Sequence, residues 1–349
     1  MEKRHYYSVD IVKTVCAVFI IFIHTEPLSS VNGQLNSLLV NCVCRIAVPF
    51  FFISSGFFLF SKCGVKNPDM TAVKGYVKRI LFLYLIWSAV YFPFTALKML
   101  YPENGETASS VFAGWLKNMI FSAGYGFLWY LPATVVAAAL TAAFLKSGMG
   151  INKIIFIALA LYCVGLCGQS YYGLVRLIPF PEGFLNAVKS VYDIFGTTRN
   201  GIFEGFIFIA LGARLAESEN AGRFKNNMLL FAAFMLLLTA EFVFVGKMKW
   251  HLEYDMYLFL IPAAYFLFRS AISFDKPLAS KHLRLLRPYS SLFYFVHMLP
   301  IELYCIFTKR PYTNSVLMFF IAFIPTVIIS SLIIFVSEKK HFGFLKKVC

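Results

Sequence analysis

Charge is scarce in this chain: 14% of its 349 residues are Asp, Glu, Lys or Arg, while 59% are hydrophobic and 40 are Phe. Soluble domains run near a quarter charged, so a single water-soluble core is excluded, and a mean hydropathy of +0.72 makes lipid the solvent. Acidic side chains are the rarer sign, 17 against 32 basic, for a net charge of +15. In a membrane protein such an excess faces the anionic cytoplasmic leaflet, where each Lys or Arg contributes about 1 kcal/mol. The bilayer, and no nucleic acid, is therefore the expected partner. Cys-x-x-Cys pairs are missing among the eight Cys, so Cys16, Cys42, Cys44, Cys163, Cys167 and Cys305 read as small buried hydrophobes rather than metal ligands or disulfides. Also missing are a Pro/Gly/Ser linker, a low-complexity tract and a repeat, which predicts one transmembrane domain over residues 1–349. Without a His-x3-His pair, a Gly-x-Ser-x-Gly elbow or a phosphate-cradling glycine loop, metal and serine-hydrolase mechanisms have no support. Gly201-x3-Gly205, within an apolar run, reads as close helix packing.

What is present is a series of apolar runs long enough to cross about 30 Å of hydrocarbon as helix, near 8–25, 36–60, 77–97, 127–145, 154–170, 200–213, 226–246, 252–268, 289–308 and 313–337. The pattern predicts an all-α integral membrane protein of about ten transmembrane helices, with 111–121 either a loop or a re-entrant or interfacial piece. Asp10 and Lys13 interrupt the first run and no small-x-small site follows Phe22, so it is expected to stay as an anchor. With the N-terminus inside, 21 Lys and Arg fall in cytoplasmic segments, including Lys62 to Arg79, and 9 on the opposite face. That asymmetry places both termini in the cytoplasm.

Ionisable residues inside the apolar runs cost roughly 2.5 to 3.5 kcal/mol at the bilayer centre and tend to mark cavities and function. Lys13 and His24 are eleven residues apart, three helical turns, so they share a face with about 16 Å between them. Two readings stay open: a functional stripe, or a Lys snorkelling to the inner surface and a His capping the outer end beside Pro27. In the second run Pro49 has no N–H for the carbonyl of Arg45, which predicts a kink and a free acceptor beside a buried guanidinium. Arg45 then either locks two helices by pairing with a carboxylate such as Glu204, or contacts substrate. Glu204, one turn after Asn200, is either that partner or a site acid. Glu26 can assist His24 only if the first helix ends there, because residues two apart on a helix do not face each other.

Lys13-x10-His24-x2-Pro27, Arg45-x3-Pro49-Phe50-Phe51-x3-Ser55-Gly56, Leu128-Trp129-Tyr130-Leu131, Arg199-Asn200-Gly201-Ile202-Phe203 and Ser291-x2-Tyr294-x2-His297 occur in this order over almost the whole chain. Together they resemble the integral-membrane acyltransferase family 3. Gly165-Leu166-x-Gly168-x-Ser170, Gly173-Leu174, the Arg199 block and Asp255-Met256-Tyr257-Leu258-Phe259-Leu260 resemble, within it, the membrane half of the vancomycin-resistance serine racemases. The resemblance implies a multi-pass bacterial plasma-membrane enzyme. It would transfer an acyl group, commonly acetyl from cytosolic acetyl-CoA as donor substrate, to a hydroxyl on a sugar or cell-envelope polymer, with no permanently bound cofactor.

It also implies an essential His24, a base suited to neutral pH by its ordinary pKa of about 6.5, with Lys13 attracting the anionic end of the donor. Arg45 would polarise the thioester carbonyl or its oxyanion. Glu26, Arg199, Asn200, Glu204, Tyr294 and His297 are substrate-binding or supporting candidates, and for His297 a hydrogen-bonded packing role stays open. The family position of Lys13 is often Arg, so a bidentate phosphate contact becomes a point-charge one. A second function is carried alongside: the membrane module of a vancomycin-resistance serine racemase system, handling or importing L-serine. In the fused relatives the racemase follows the last span, and since this chain ends at Cys349 the expectation is a separate cytosolic PLP racemase.

Overall fold

A computed structural model describes residues 5–101, 106–218, 221–274, 283–309 and 311–347, and among them all regular structure is helical. In chain order the helices are α1 Tyr7–Thr25, α2 Gly33–Leu38, α3 Ala47–Cys63, α4 Met70–Leu100, α5 Ala108–Phe121, α6 Tyr130–Lys146, α7 Ile151–Cys167 and the single turn α8 Tyr172–Val175. Then follow α9 Glu182–Phe195, α10 Phe206–Glu217, α11 Phe224–Met248, α12 Leu260–Ser273, α13 Leu286–Val296, α14 Met298–Thr308 and α15 Val316–Ser337. Seven helical stretches are long and apolar enough to cross a membrane, several of them joining adjacent helices, and Ile151–Cys167 and Leu260–Ser273 are shorter apolar helices. Lys3, Arg4, Lys276, Lys281 and Arg310, used in counting charge, lie outside the described residues.

The chain packs as two compact units, one of residues 1–54, 218–242 and 259–349, the other of 55–217 and 243–258. In the first unit α1 lies against α12, α13 and α15. Ala17 and Ile21 of α1 meet Phe293, Ile301, Met318 and Ala322 in a buried apolar cluster. Hydroxyls pin the helix lengthwise: Ser8 Oγ donates to the carbonyl of Ala271 and Thr14 Oγ1 to that of Leu286. In the second unit α6 packs on α4 and on α10, and Gly56 of α3 abuts α10 so closely that a Cβ there would sit 2.3 Å from the carbonyl oxygen of Ile209. Overpacking of this kind costs about 1–3 kcal/mol. Gly56→Ala is expected to lower the thermal midpoint of the purified protein, read by tryptophan fluorescence or a dye-free thermal ramp.

Two stretches depart from regular α-helix. Residues Leu39–Val43 wind as π-helix and Cys44–Ile46 as 3-10 helix before α3 begins at Ala47. The irregularity precedes Pro49, whose missing N–H leaves the Arg45 carbonyl without its helical donor. The expected span at 252–268 needs correction: residues 250–259 are not helical, and α12 starts only at Leu260. Side chains and backbone of the second unit take the hydrogen bonds a helix would have made. Leu252 N–H donates to Gln169 O (3.0 Å), Ser170 Oγ donates to Met256 O, and Tyr162 Oη donates to Tyr257 O (2.8 Å). Apolar backbone without helical bonds persists at membrane depth only where protein supplies such partners. The piece at 111–121 forms part of α5, a helix with no buried residue.

Candidate functional site

In the first unit the site is built at the far end of α1. The helix stops at Thr25 because Glu26 turns left-handed (φ 40°), its N–H closing on Phe22 O at 2.9 Å, and Pro27 cannot continue it. The condition for Glu26 to help His24 is thus met, yet its carboxylate accepts from Asn36 Nδ2 at 3.2 Å, and Asn36 Oδ1 accepts from Leu28 N–H at 3.1 Å. Glu26 therefore ties the chain after α1 to α2. Across from it Tyr312, in the loop before α15, has its phenol pushed above the ordinary range by burial, then by the charge of Glu26 and by Cys305. Ser315 N–H donates to Thr25 O (3.1 Å), fastening that loop to the end of α1.

His24 is half-buried, and its ring centre lies 5.2 Å from that of His297, which is fully buried between α13 and α14. Tyr294, one turn before, has its ring centre 6.5 Å from that of His297. The structure thus brings together three of the residues expected to matter. Lys13 sits toward the opposite end of α1, where the charges of Asp10 and Arg287 act on it. Arg284 Nε donates to Tyr7 Oη (3.2 Å) at the same end. Arg287, exposed and beside Lys13, is a residue that sequence reading had left among ordinary loop charges. Arg45, half-buried, donates from Nη2 to Asn41 Oδ1 (2.9 Å), a partner one turn back that spacing alone did not single out. Its 3-10 turn packs on α1, and Cys44 lies near Cys16, between the levels of Lys13 and His24.

In the second unit Arg199 and Asn200 line a cleft of 720 Å³, and Glu204 is buried with its charge acting on Arg199. Arg199 Nη1 donates to Asp255 Oδ2 at 3.0 Å and its guanidinium lies over the Trp129 ring, 4.9 Å from its centre. Burial opposes the charge of Arg199, but Asp255, Glu204 and Glu253 outweigh it and hold the guanidinium above its ordinary pKa. Asn200 serves chiefly as a cap: Oδ1 accepts from the N–H groups of Ile202 and Phe203, opening the π-helix Gly201–Gly205. Gly201 fulfils the close-packing expectation, since a Cβ there would lie 2.5 Å from Ala133 O. Trp115, Tyr125 and Trp129 give the cleft aromatic walls, and Ser110, Asn118 and Thr197 give it neutral hydrogen-bonding groups.

The segments resembling the racemase membrane half converge here. Gly168 and Gly173 have no room for a Cβ beside Thr198 and Trp250, and buried Gln169 donates to Thr197 Oγ1 (3.0 Å) and Glu253 Oε2 (3.2 Å). Ser55 and Tyr130, from two other motifs, share a hydroxyl hydrogen bond of 2.9 Å.

Fold and site define a multi-pass helical membrane protein with clustered imidazoles at one helix end and basic residues at the other. A family model described as "Acyltransferase domain" matches residues 6–335, and the chain belongs to that integral-membrane acyltransferase family. Among curated proteins it is similar to two described as amino-acid racemases from Enterococcus faecalis. One is 31% identical over 78% of this chain and 37% of its own length, the other 28% identical over 97% and 47%. A serine/alanine racemase from Enterococcus gallinarum is 28% identical over 81% of the chain and 40% of its own length. The chain thus spans less than half the length of these relatives. No solved structure matches.

Proposed function

We propose that this protein is a membrane O-acyltransferase that moves an acyl group, acetyl in the first instance, from a cytosolic acyl-CoA to a hydroxyl of a sugar or other cell-envelope acceptor. The observation carrying the reading is the arrangement along α1, with an imidazole pair at one end and Lys13 with Arg287 at the other. The donor's anionic end rests against the cations and its acyl-bearing arm runs along the helix to His24. His24 takes the proton of the acceptor hydroxyl as that oxygen attacks the thioester carbon. The C–S bond then breaks, and the departing thiolate takes the proton back, leaving an ester and free CoA.

In this reading the whole chain is one domain of ten spans. The seven long helical stretches are supplemented by α7, the stretch from Gly201 through α10, and α12, and both termini are cytoplasmic. Ser61→Cys should resist an impermeant thiol reagent in intact cells and Asn104→Cys should react; the reverse pattern would overturn the topology.

The deciding experiment is reconstitution in liposomes with radiolabelled acetyl-CoA and candidate envelope glycans, label in the glycan being the expected product. Within it, Lys13→Ala and Arg287→Ala should each raise KM for the donor about fivefold at low salt, the loss of ~1 kcal/mol of attraction. The effect should shrink as salt screens it, while kcat changes little. An unchanged KM at low salt would remove the cations from donor binding.

A second reading is favoured by the racemase descriptions of relatives whose similarity runs through 97% of this chain. In it the protein handles or imports L-serine for a PLP racemase. Serine-dependent accumulation of D-serine on co-expression with a racemase, without acyl transfer, would favour it.

A further inference from the structure

The helix that runs Leu286–Thr308 is broken at His297, and Pro300 accounts for the break: it has no N–H to return to Val296 O. At the break the His297 ring turns back on its own helix. Nδ1 lies 3.1 Å from Phe293 O and 2.9 Å from Tyr294 O. A carbonyl oxygen can only accept, so Nδ1 carries the hydrogen, and in the neutral ring Nε2 is the lone-pair nitrogen. The ring is wholly buried, and Leu292, Tyr294, Phe295 and Val296 around it are buried too, so its orientation is held. Its neighbour across the helix boundary is His24, with ring centres 5.2 Å apart and planes inclined by 34°. The rings meet as a tilted contact, and among the described residues no hydrogen bond reaches His297 Nε2 in this arrangement. Because ring nitrogens sit about 1.1 Å from an imidazole centre, a turn of the half-buried His24 ring is enough to bring one of its nitrogens within about 3 Å of it.

We propose that His297 is the positioning residue for His24. With the His24 ring so turned, it accepts the hydrogen of one His24 nitrogen on its own Nε2, fixes the His24 tautomer, and thereby presents the other nitrogen as the base. When His24 takes up a proton, the bond to His297 steadies the imidazolium. An acceptor that orients a histidine usually does so as a carboxylate or a carbonyl; here a second imidazole, locked through its far nitrogen, does the same. The assignment rests on the reading of His24 as base, but not on the identity of donor or acceptor.

Two substitutions separate this role from packing. Asn at 297 reproduces the Nδ1 donor toward Phe293 and Tyr294 and loses the far edge; Gln places an amide oxygen near Nε2 and loses the Nδ1 donor. If His297 only holds its own helix, His297→Asn is the benign change. If it positions His24, His297→Asn lowers kcat about ten- to a hundredfold, as loss of an orienting partner does, with KM for acetyl-CoA unchanged, while His297→Gln retains most turnover. A second readout needs no acyl transfer: carbethoxylation of half-exposed His24 by diethyl pyrocarbonate, followed by mass spectrometry on the full-length protein in detergent. His24 should react several-fold more slowly in His297→Asn than in wild type, and near the wild-type rate in His297→Gln. Wild-type reactivity and turnover in folded His297→Asn would overturn the proposal. Should the wild type transfer no acyl group while the reactivity pattern holds, the acyltransferase reading fails and the pairing stands.

Discussion

His24→Gln is expected to reduce acyl-transfer turnover by about a hundredfold or more, the contribution of a positioned general base, with little change in membrane yield or thermal midpoint. Gln keeps approximate size and hydrogen-bonding capacity but cannot take up a proton near neutral pH. The small stability effect follows from placement. His24 is half-buried in the last turn of α1, and the helix end is secured by other groups: Glu26 on Asn36, the Thr25 hydroxyl on Ile21 O, and Ser315 N–H on Thr25 O. A titration of turnover against pH in the wild type should follow deprotonation of a single base, and the Gln variant should show neither the rate nor that limb. Folded His24→Gln protein retaining wild-type turnover would remove the mechanism as written.

Much of this was legible in the sequence, and what was not has identifiable causes. The stripe of α1 follows from helical period alone, because eleven residues are three turns and Lys13 and His24 bracket an apolar run. The close fit of Gly201 was equally readable, since a small residue inside an apolar run has few other uses. The non-helical course of 250–259 was not. A short apolar run is ambiguous between helix and other buried backbone, and the decision lies with Gln169, Ser170 and Tyr162, far away in sequence and visible only once folded. The Arg199–Asp255 pair and the facing of His24 and His297 escaped notice for the same reason: each residue was conspicuous, but no periodicity reports a partner on another element. Arg287 escaped because a basic residue between spans is usually explained by topology, and its proximity to Lys13 shows only in the folded chain. Glu26 shows the opposite case. The helix end that would free it to serve His24 is real, and the carboxylate is engaged instead by Asn36.

Replacing Arg45 should be nearly as costly as replacing His24, but through a different term. Arg45 lies on one 3-10 turn between π-helix and α3, packed on α1, with Asn41 fixing one edge of its guanidinium. A π-helical turn is a costly local choice that recurs at functional sites, and here it sets Asn41 and Arg45 where one can hold the other. If the guanidinium polarises the thioester carbonyl and meets the oxyanion formed on attack, Arg45→Met should lower kcat by about a hundred- to a thousandfold, the usual loss for one oxyanion donor. KM for the donor should move little, because that charge develops only in the transition state. Arg45→Lys keeps the charge without the planar fork and should recover only part of the rate. Asn41→Ala, which leaves the charge and removes its tether, should fall between wild type and Arg45→Met. The competing role, a purely structural guanidinium, predicts another ordering: Arg45→Met would lower yield and thermal midpoint, and whatever protein folded would turn over normally. Measuring kcat per folded molecule, with folded protein counted by size-exclusion in detergent, separates the two, and a normal kcat in folded Arg45→Met would take Arg45 out of the chemistry.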